Sequence, residues 1–241
     1  MQILLFLAFT ACIASCIGII SGFGVGTIMT PLVLLILPLS QTLFLVGIIH
    51  LMNSIGKVVL FKNYIVWDLV FKSGVPAIIT SFIGALLVGY MPNIMIKVLG
   101  IFFIIYSFFI VYKPTFYIPP TNSFKLLGGS VYGFLAGISG IRGAVGAMFF
   151  SALNLRKESY LGTVGVIGCA VDMIRLPMYW YYGVHVDYDF MSKIGITLIS
   201  AFIGIYMGKY LTDKISQRHF RYVIALFLLL MGLRLLILPS M

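Results

Sequence analysis

A basic residue lies deep inside an apolar segment twice in this chain, and the two occurrences are related. Residues 47–57 end in Lys57 and residues 165–175 end in Arg175, at an offset of 118 positions. A charge inside a membrane segment is costly and usually has a function. Its repetition at equivalent positions predicts two related halves, as in transporters with a duplicated core.

The composition places this core in a membrane. The chain is 61% hydrophobic and 9% charged, with a mean hydropathy of +1.13. A water-soluble protein has no core large enough to bury so much apolar surface. We therefore expect an all-α integral membrane protein surrounded by the lipid bilayer. The first apolar segment lacks the basic start of a cleaved signal and is expected to be retained.

The apolar segments form two sets of five, separated by a proline-rich linker. We expect a first transmembrane repeat at 1–112, the linker at 113–123 and a second repeat at 124–241. The segments lie near 3–20, 24–38, 42–61, 73–90, 94–112, 125–140, 143–154, 159–181, 192–210 and 219–238. Prolines in the linker cannot continue a helix, so the two repeats are expected to be separate helical sets.

The second segment of each half is shorter than the roughly 20 apolar residues that cross a bilayer. Each is entered through a glycine-rich stretch, which we call the first break (residues 21–26) and the second break (residues 139–143). The sequence therefore predicts about eight to ten membrane segments, of which the second in each half is short or re-entrant.

Loop charges predict how the two halves are oriented. Most of the 16 lysines and arginines fall in the odd-numbered loops, which are therefore expected to be cytoplasmic. Five segments per half is an odd number, so the second half should be inverted relative to the first. The net charge of +10 fits these loops, and no dense basic cluster with interleaved aromatics suggests nucleic acid as a partner.

Polar residues form a stripe on one face of the third segment and on one face of the eighth. They are His50, Asn53, Ser54 and Lys57 on the third, and Asp172, Arg175 and Tyr179 on the eighth. Such a stripe should face a cavity or another helix rather than lipid. Cationic donors suit an anion, and the planar guanidinium of Arg175 can hold two oxygens of an oxyanion.

Each of these charged residues also has a structural interpretation. Lys57 lies near the cytoplasmic end of its segment and could extend to the surface. Asp172 and Arg175 are three residues apart and could neutralise each other. Arg142, in the second break, either contacts substrate or lies at a solvated helix end. His50 is either a hydrogen-bonded core histidine or a proton carrier.

The two breaks add a further source of anion-binding groups. Backbone N–H groups at the start of a short helix favour anions, because the helix dipole is positive there. The residues expected to bind substrate are Arg175, Lys57, Arg142, Asn53, Asp172, His50, Gly22, Gly24, Gly26, Ser139, Gly140 and Gly143.

Small residues at a spacing of four predict close contacts between helices. They are Gly129, Gly133 and Gly137 in one segment and Gly204 and Gly208 in another. Strips of this kind allow two helix backbones to approach closely, and their simplest role is packing.

The sequence offers no catalytic, metal or cofactor site. Only one acidic residue, Asp172, lies in an apolar segment, so no pair of carboxylates is available for acid–base catalysis. Metalloprotease, nucleophile-elbow and ATP-binding motifs are absent from the sequence. Cys12, Cys16 and Cys169 lack metal or redox spacing and are expected to be inert thiols. We expect a protein that is not an enzyme and needs no cofactor.

The chain resembles the TauE/SafE sulfite exporter family over nearly its whole length. The matching features are Ser-Gly-Phe-Gly-Val-Gly at 21–26 leading to Pro31, the late basic Lys57 followed by Phe61 and Trp67-Asp68, and the second Ser139-Gly140. The resemblance implies a transporter in the cytoplasmic membrane of bacteria for sulfur-containing anions such as sulfite, sulfonates or thiosulfate.

Two features depart from the pattern of that family. Val25 and Thr27 interrupt the first glycine cluster, and the second break carries Arg142 but no proline at the position matching Pro31. These departures bear on the choice of substrate more than on the fold.

The sequence therefore predicts a secondary transporter that binds a small anion near mid-membrane between its halves. Rocking of one half against the other would give alternating access. A passive anion channel of the same architecture is one alternative, and a non-transporting membrane scaffold is another. The exact substrate, the direction, the coupling ion and the formation of a homo-oligomer stay open.

Overall fold

The computed structural model describes most of the chain, and the described part consists of helices and the turns between them. The described residues are 2–21, 24–90, 92–112, 121–140, 142–151, 153, 155–181, 188–211, 225–226, 229–230, 232–233 and 236–237. Within them no strand occurs, so the all-α prediction is confirmed. The last predicted segment, 219–238, lies mostly outside the described residues.

The helices follow the predicted segments closely. They are α1 (Gln2–Ser21), α2 (Gly26–Val33), α3 (Leu39–Phe61), α4 (Trp67–Tyr90), α5 (Pro92–Tyr112), α6 (Asn122–Ser139), α7 (Arg142–Ser151), α8 (Lys157–Tyr181) and α9 (Tyr188–Leu211). A single 3-10 turn at Lys62–Tyr64 follows α3. Helix α6 begins at Asn122, inside the predicted linker, because the Thr121 side chain accepts a hydrogen bond from the Phe124 amide.

Several of these helices are suited to crossing a bilayer. Among the described residues, five are long and apolar enough, at Gln2–Ile20, Leu39–Tyr64, Trp67–Leu87, Glu158–Tyr181 and Tyr188–Leu211. Together with the all-helical architecture, they make this a multi-pass membrane protein.

Helices α2 and α7 are too short to cross. They have 8 and 10 residues, which gives lengths of about 12 and 15 Å against a hydrocarbon core of about 30 Å. The prediction of a short second segment in each half is confirmed. The turns that precede them need glycine, because Gly24 and Gly140 have φ angles of +83° and +68°.

Helices from the two halves of the chain are interleaved. Helix α4 of the first half packs along α6 of the second, and α9 of the second packs along α1 of the first. Helices α3 and α8 pack against each other between these two pairs. The first helix of each half therefore lies against the fourth helix of the other. The division into two inverted repeats stays a prediction.

The predicted glycine strips lie at the closest helix contacts. A Cβ atom at Gly133 would overlap the backbone oxygen of Ala77 on α4, and one at Gly204 would overlap that of Cys12 on α1. Because backbone atoms rather than flexible side chains occupy this space, only glycine allows these helices to approach so closely. The predicted role of the strips in packing is confirmed.

Candidate functional site

The contact between α3 and α8, which we call the α3–α8 seam, carries both polar stripes. At one end a Cβ atom on Gly165 would lie 3.0 Å from the Lys57 Cβ, and at the other end one on Gly47 would lie 3.8 Å from Arg175 Nη2. The two helices therefore run antiparallel, and each basic residue faces a glycine of the opposite helix.

This register separates the two basic residues that the sequence suggested as joint ligands. Gly165, which marks the level of Lys57, is ten residues before Arg175 on α8, a distance of about 15 Å along the helix axis. The structure therefore does not bring Lys57 and Arg175 together at one level.

Positive charge predominates among the buried residues of the seam. In the described part of the chain, the buried charged side chains are Lys57, Arg142, Arg175 and Asp172, which are 7%, 3%, 0% and 0% exposed. Three cations thus accompany one carboxylate. Lys57 does not extend to the surface, and Arg142 does not lie at a solvated helix end, so both of those alternatives are wrong.

Arg142 fastens the start of α7 to the seam. Its Nη1 donates to the Gly168 backbone oxygen at 2.7 Å, and its Nη2 donates to the His50 backbone oxygen at 3.1 Å and to Ser54 Oγ. The same guanidinium forms an ion pair with Asp172. Protein groups therefore engage both of its terminal nitrogens, and Arg142 is better suited to positioning α7 than to binding a ligand.

Asp172 is shared between two guanidinium groups. Its Oδ1 accepts a hydrogen bond from Arg175 Nε at 2.7 Å, while its Oδ2 pairs with Arg142. The predicted pairing of Asp172 with Arg175 is present. One carboxylate cannot neutralise two guanidinium groups, however, so this cluster of three residues keeps a surplus positive charge.

Arg175 is held in place on several sides and retains unused donors. Its Nη1 donates to the Ala136 backbone oxygen at 2.8 Å, and its guanidinium carbon lies 5.8 Å from the centre of the Tyr179 ring. The Tyr179 hydroxyl donates to the Gly137 backbone oxygen at the end of α6. Arg175 Nη2 is fully buried and has no hydrogen bond among the described residues. This nitrogen is the clearest free cationic donor in the seam.

His50 is a hydrogen-bonded residue of the core. Its Nε2 accepts a hydrogen bond of 2.8 Å from the backbone N–H of Gly26, at the start of α2. A nitrogen that accepts in this way carries no proton, so the imidazole is neutral and its proton is assigned to Nδ1. The amide of Gly26 is consequently used by His50 and is not available to an anion, contrary to the expectation for this helix start.

The two breaks meet next to the seam. A Cβ atom on Gly24 would lie 2.7 Å from the Cα of Gly143, and one on Gly26 would lie 2.6 Å from the backbone oxygen of Gly140. Contacts this close exclude any side chain at these positions. Glycine is therefore required here so that the two short helices can begin side by side at the centre of the protein.

The predicted site residues still to be placed are Asn53, Ser139 and Gly22. Asn53 Nδ2 donates at 3.1 Å to both Ser15 Oγ on α1 and the Ile49 backbone oxygen, while its Oδ1 is buried without a partner among the described residues. Ser139 is the last residue of α6. Gly22 lies outside the described residues.

One buried hydroxyl near the site was missed by the sequence analysis. Thr30 on α2 is fully buried, and its Oγ1 has no hydrogen bond within the described part of the chain. A single threonine beside Pro31 in an apolar segment carries no pattern that would distinguish it from a packing residue. Thr30 becomes a candidate substrate-binding residue only in the folded protein, because the fold brings α2 next to the second break.

The cysteine, histidine and acidic side chains of the described residues are dispersed. Within those ranges, no three His, Cys, Asp or Glu side chains lie close enough to share a metal ion. Cys12, Cys16 and Cys169 are free thiols.

A protein-family model matches most of the chain. The family model described as "Sulfite exporter TauE/SafE" matches residues 7–235 of the 241-residue chain. Searches of curated proteins and of solved structures each gave no match. The matched region includes both breaks and the whole of the α3–α8 seam.

Proposed function

This chain belongs to the TauE/SafE sulfite exporter family, and we propose that it is a secondary transporter for small sulfur-containing anions. Membership of the family implies a membrane transporter or exporter of sulfur anions. The secondary mechanism, the substrates sulfite, sulfonates or thiosulfate, and the location in a bacterial cytoplasmic membrane belong to the proposal. The transported anion and the surrounding lipid are its expected partners.

The observation that carries this proposal is the charge imbalance in the α3–α8 seam. Among the described residues, three buried cations accompany the single carboxylate of Asp172. Buried charge without a counter-charge is unfavourable, because the protein interior solvates ions poorly. An anionic substrate would supply the missing negative charge, whereas a cationic substrate would add to the imbalance.

The chemistry of the free donors favours an oxyanion in particular. Arg175 keeps its Nη2 unpaired while its other nitrogens donate to Asp172 and to Ala136. A guanidinium held in a fixed orientation binds two oxygens of one group, as found in sulfite, thiosulfate and sulfonates. A monatomic anion such as chloride would use this geometry less fully.

The arrangement of short helices supports alternating access. Helices α2 and α7 begin side by side, and each is tied to the seam by one polar residue, α2 through His50 and α7 through Arg142. Movement of one half against the other would change the contacts of Arg142 with His50 and Ser54, which join the second half to the first, and would expose Arg175 to one side of the membrane at a time. The identity of any coupling ion is not part of the proposal.

Counterflow in proteoliposomes tests the transport function. Vesicles containing purified protein are loaded with unlabelled sulfite, thiosulfate or a simple sulfonate, and uptake of the same labelled anion is followed. We expect transient accumulation of label, which requires exchange on a saturable carrier, and no accumulation in protein-free vesicles. Folded protein that exchanges none of these anions would contradict the proposal.

The same preparation separates the alternative functions. A passive channel would give single-channel currents in a planar bilayer and no counterflow. A scaffold would give neither signal. Counterflow without channel currents is the result expected for the transporter.

A further inference from the structure

Two residues beside Gly140 in the second break, Thr30 and Arg175, each carry a buried polar atom without a partner among the described residues. Thr30 Oγ1 and Arg175 Nη2 both belong to fully buried residues, and neither atom has a hydrogen bond among the described residues. Leaving a buried donor unpaired costs about 1–3 kcal/mol, and more for a charged group. Both residues adjoin Gly140, so one ligand beside this glycine could supply partners to both.

Gly140 defines the space between these two residues. A Cβ atom placed on Gly140 would lie 3.6 Å from Arg175 Nη1 and 3.7 Å from Thr30 Oγ1, with Leu43 Cδ2 at 3.1 Å on the apolar side. The glycine leaves this position without a side chain. Two oxygens of one polyatomic anion, each accepting a hydrogen bond of about 2.8 Å, can reach both the guanidinium and the hydroxyl.

Arg175 keeps N–H groups that its protein partners do not use. Its Nε is used by Asp172 and one N–H of Nη1 by Ala136, so three of the five N–H groups of a guanidinium remain. They are one N–H of Nη1 and both N–H groups of Nη2, and guanidinium N–H groups bind oxyanions through more than one oxygen. The hydroxyl of Thr30 would supply one further donor.

We propose that the Arg175 guanidinium and the Thr30 hydroxyl form an oxyanion subsite beside Gly140. The ligand class is a small anion with at least two oxygens on one sulfur, which sulfite, thiosulfate and sulfonates share. This inference rests on the proposed transport of sulfur anions and adds Thr30 and Gly140 to the residues that recognise them.

The subsite combines Thr30 of the first half with Arg175 of the second, and the repeat does not duplicate it. At the offset of 118 that relates Lys57 to Arg175, the position matching Thr30 is Met148, which has no hydroxyl. Lys57 also carries a single ammonium group, whereas Arg175 carries a planar guanidinium that can donate two parallel hydrogen bonds. If the two halves are related by this offset, the positions matching Thr30 and Arg175 offer neither a hydroxyl nor a guanidinium, and we expect the two ends of the seam to differ in anion affinity.

Replacement of Thr30 by valine tests the subsite. Valine keeps the shape of threonine and removes only the hydroxyl, which donates no hydrogen bond to the described protein. We expect Thr30→Val to raise the KM for sulfite counterflow about tenfold, the usual effect of losing a hydrogen bond to a charged ligand. The unfolding temperature without anion should stay unchanged, and Thr30→Ser should retain a KM near that of the wild type.

Thr42→Val provides a matched control. Thr42 is also fully buried, but its hydroxyl donates to the Leu37 backbone oxygen at 3.1 Å. Its replacement should lower the unfolding temperature and leave the KM for sulfite unchanged. The two variants thus separate loss of a ligand contact from loss of a structural hydrogen bond.

A binding measurement separates failure of the subsite from failure of the proposed function. Stabilisation of the detergent-purified protein by added sulfite should be smaller in Thr30→Val than in the wild type. If the wild type exchanges sulfite and Thr30→Val matches it in KM and in stabilisation, the subsite is refuted and the transport proposal stands. If sulfite stabilises the wild type through Thr30 but no anion is exchanged, the subsite stands and the transport proposal fails. If sulfite neither binds nor is exchanged, both are wrong.

Discussion

Lys57 and Arg175 lie at opposite ends of the α3–α8 seam, each against a glycine of the other helix. Lys57 faces Gly165, and Arg175 faces Gly47. Because the helices run antiparallel, the backbone positions of these two residues are about 15 Å apart along the helix axis. The buried positive charge is therefore spread along the seam, and an anion that crosses the protein would meet the two residues in succession.

Replacement of Lys57 should leave most of the equilibrium anion binding intact. Lys57→Met removes the charge and keeps an unbranched side chain of similar length. Because the backbone position of Lys57 is about 15 Å from that of Arg175 along the helix axis, we expect Lys57 to act on the anion only through longer-range electrostatics, and sulfite affinity should fall by about tenfold or less. Titration of the purified variant with sulfite measures this. A loss of binding as complete as that in Arg175→Gln would show that both residues hold the anion together.

Replacement of Asp172 should make the stability of the folded protein depend more strongly on an added anion. Asp172→Asn removes the only buried carboxylate among the described residues while keeping the side-chain shape. Losing the negative partner of Arg142 and Arg175 should lower the free energy of unfolding by about 3 kcal/mol or more. Added sulfite should recover part of this loss, so its stabilising effect should exceed that in the wild type. Thermal unfolding with and without sulfite gives the comparison, and equal shifts in the two proteins would contradict the charge argument.

Close packing of α4 on α6 should be sensitive to a single methyl group. A Cβ atom at Gly133 would overlap the Ala77 backbone oxygen, whereas one at Gly195 on α9 would have nothing within 4 Å. Gly133→Ala should therefore lower the free energy of unfolding by about 1–3 kcal/mol. Gly195→Ala should be neutral or stabilising by up to about 1 kcal/mol, because alanine favours helix. Equal unfolding temperatures for the two variants would show that the helices are not in this contact.

The secondary structure of this protein could be predicted well from local patterns. Apolar runs with glycine-rich entries identified both the long helices and the two short ones, because each run must satisfy its own backbone hydrogen bonds in a membrane. The small-residue strips through Gly133 and Gly204 likewise indicated close helix contacts before the partner helices were known. These features depend on residues near in sequence.

The site was harder to predict because it depends on distant contacts. Arg142 starts a helix, and nothing local shows that its guanidinium reaches Gly168 and Ser54 rather than solvent. The separation of Lys57 from Arg175 follows from the antiparallel packing of α3 on α8, which repeat spacing alone does not reveal. Thr30 became a candidate only when the fold placed it near Arg175.

Counterflow of labelled sulfite by the wild type and by Arg175→Gln tests the central claim most directly. Both proteins are reconstituted at equal density, and their unfolding temperatures confirm that each is folded. We predict exchange by the wild type and at least a tenfold lower exchange rate in Arg175→Gln, because this variant lacks the guanidinium. Arg175→Lys should recover part of the rate, because lysine restores the positive charge but not the planar pair of N–H donors. Exchange by folded Arg175→Gln with an unchanged KM would show that the anion does not bind at Arg175.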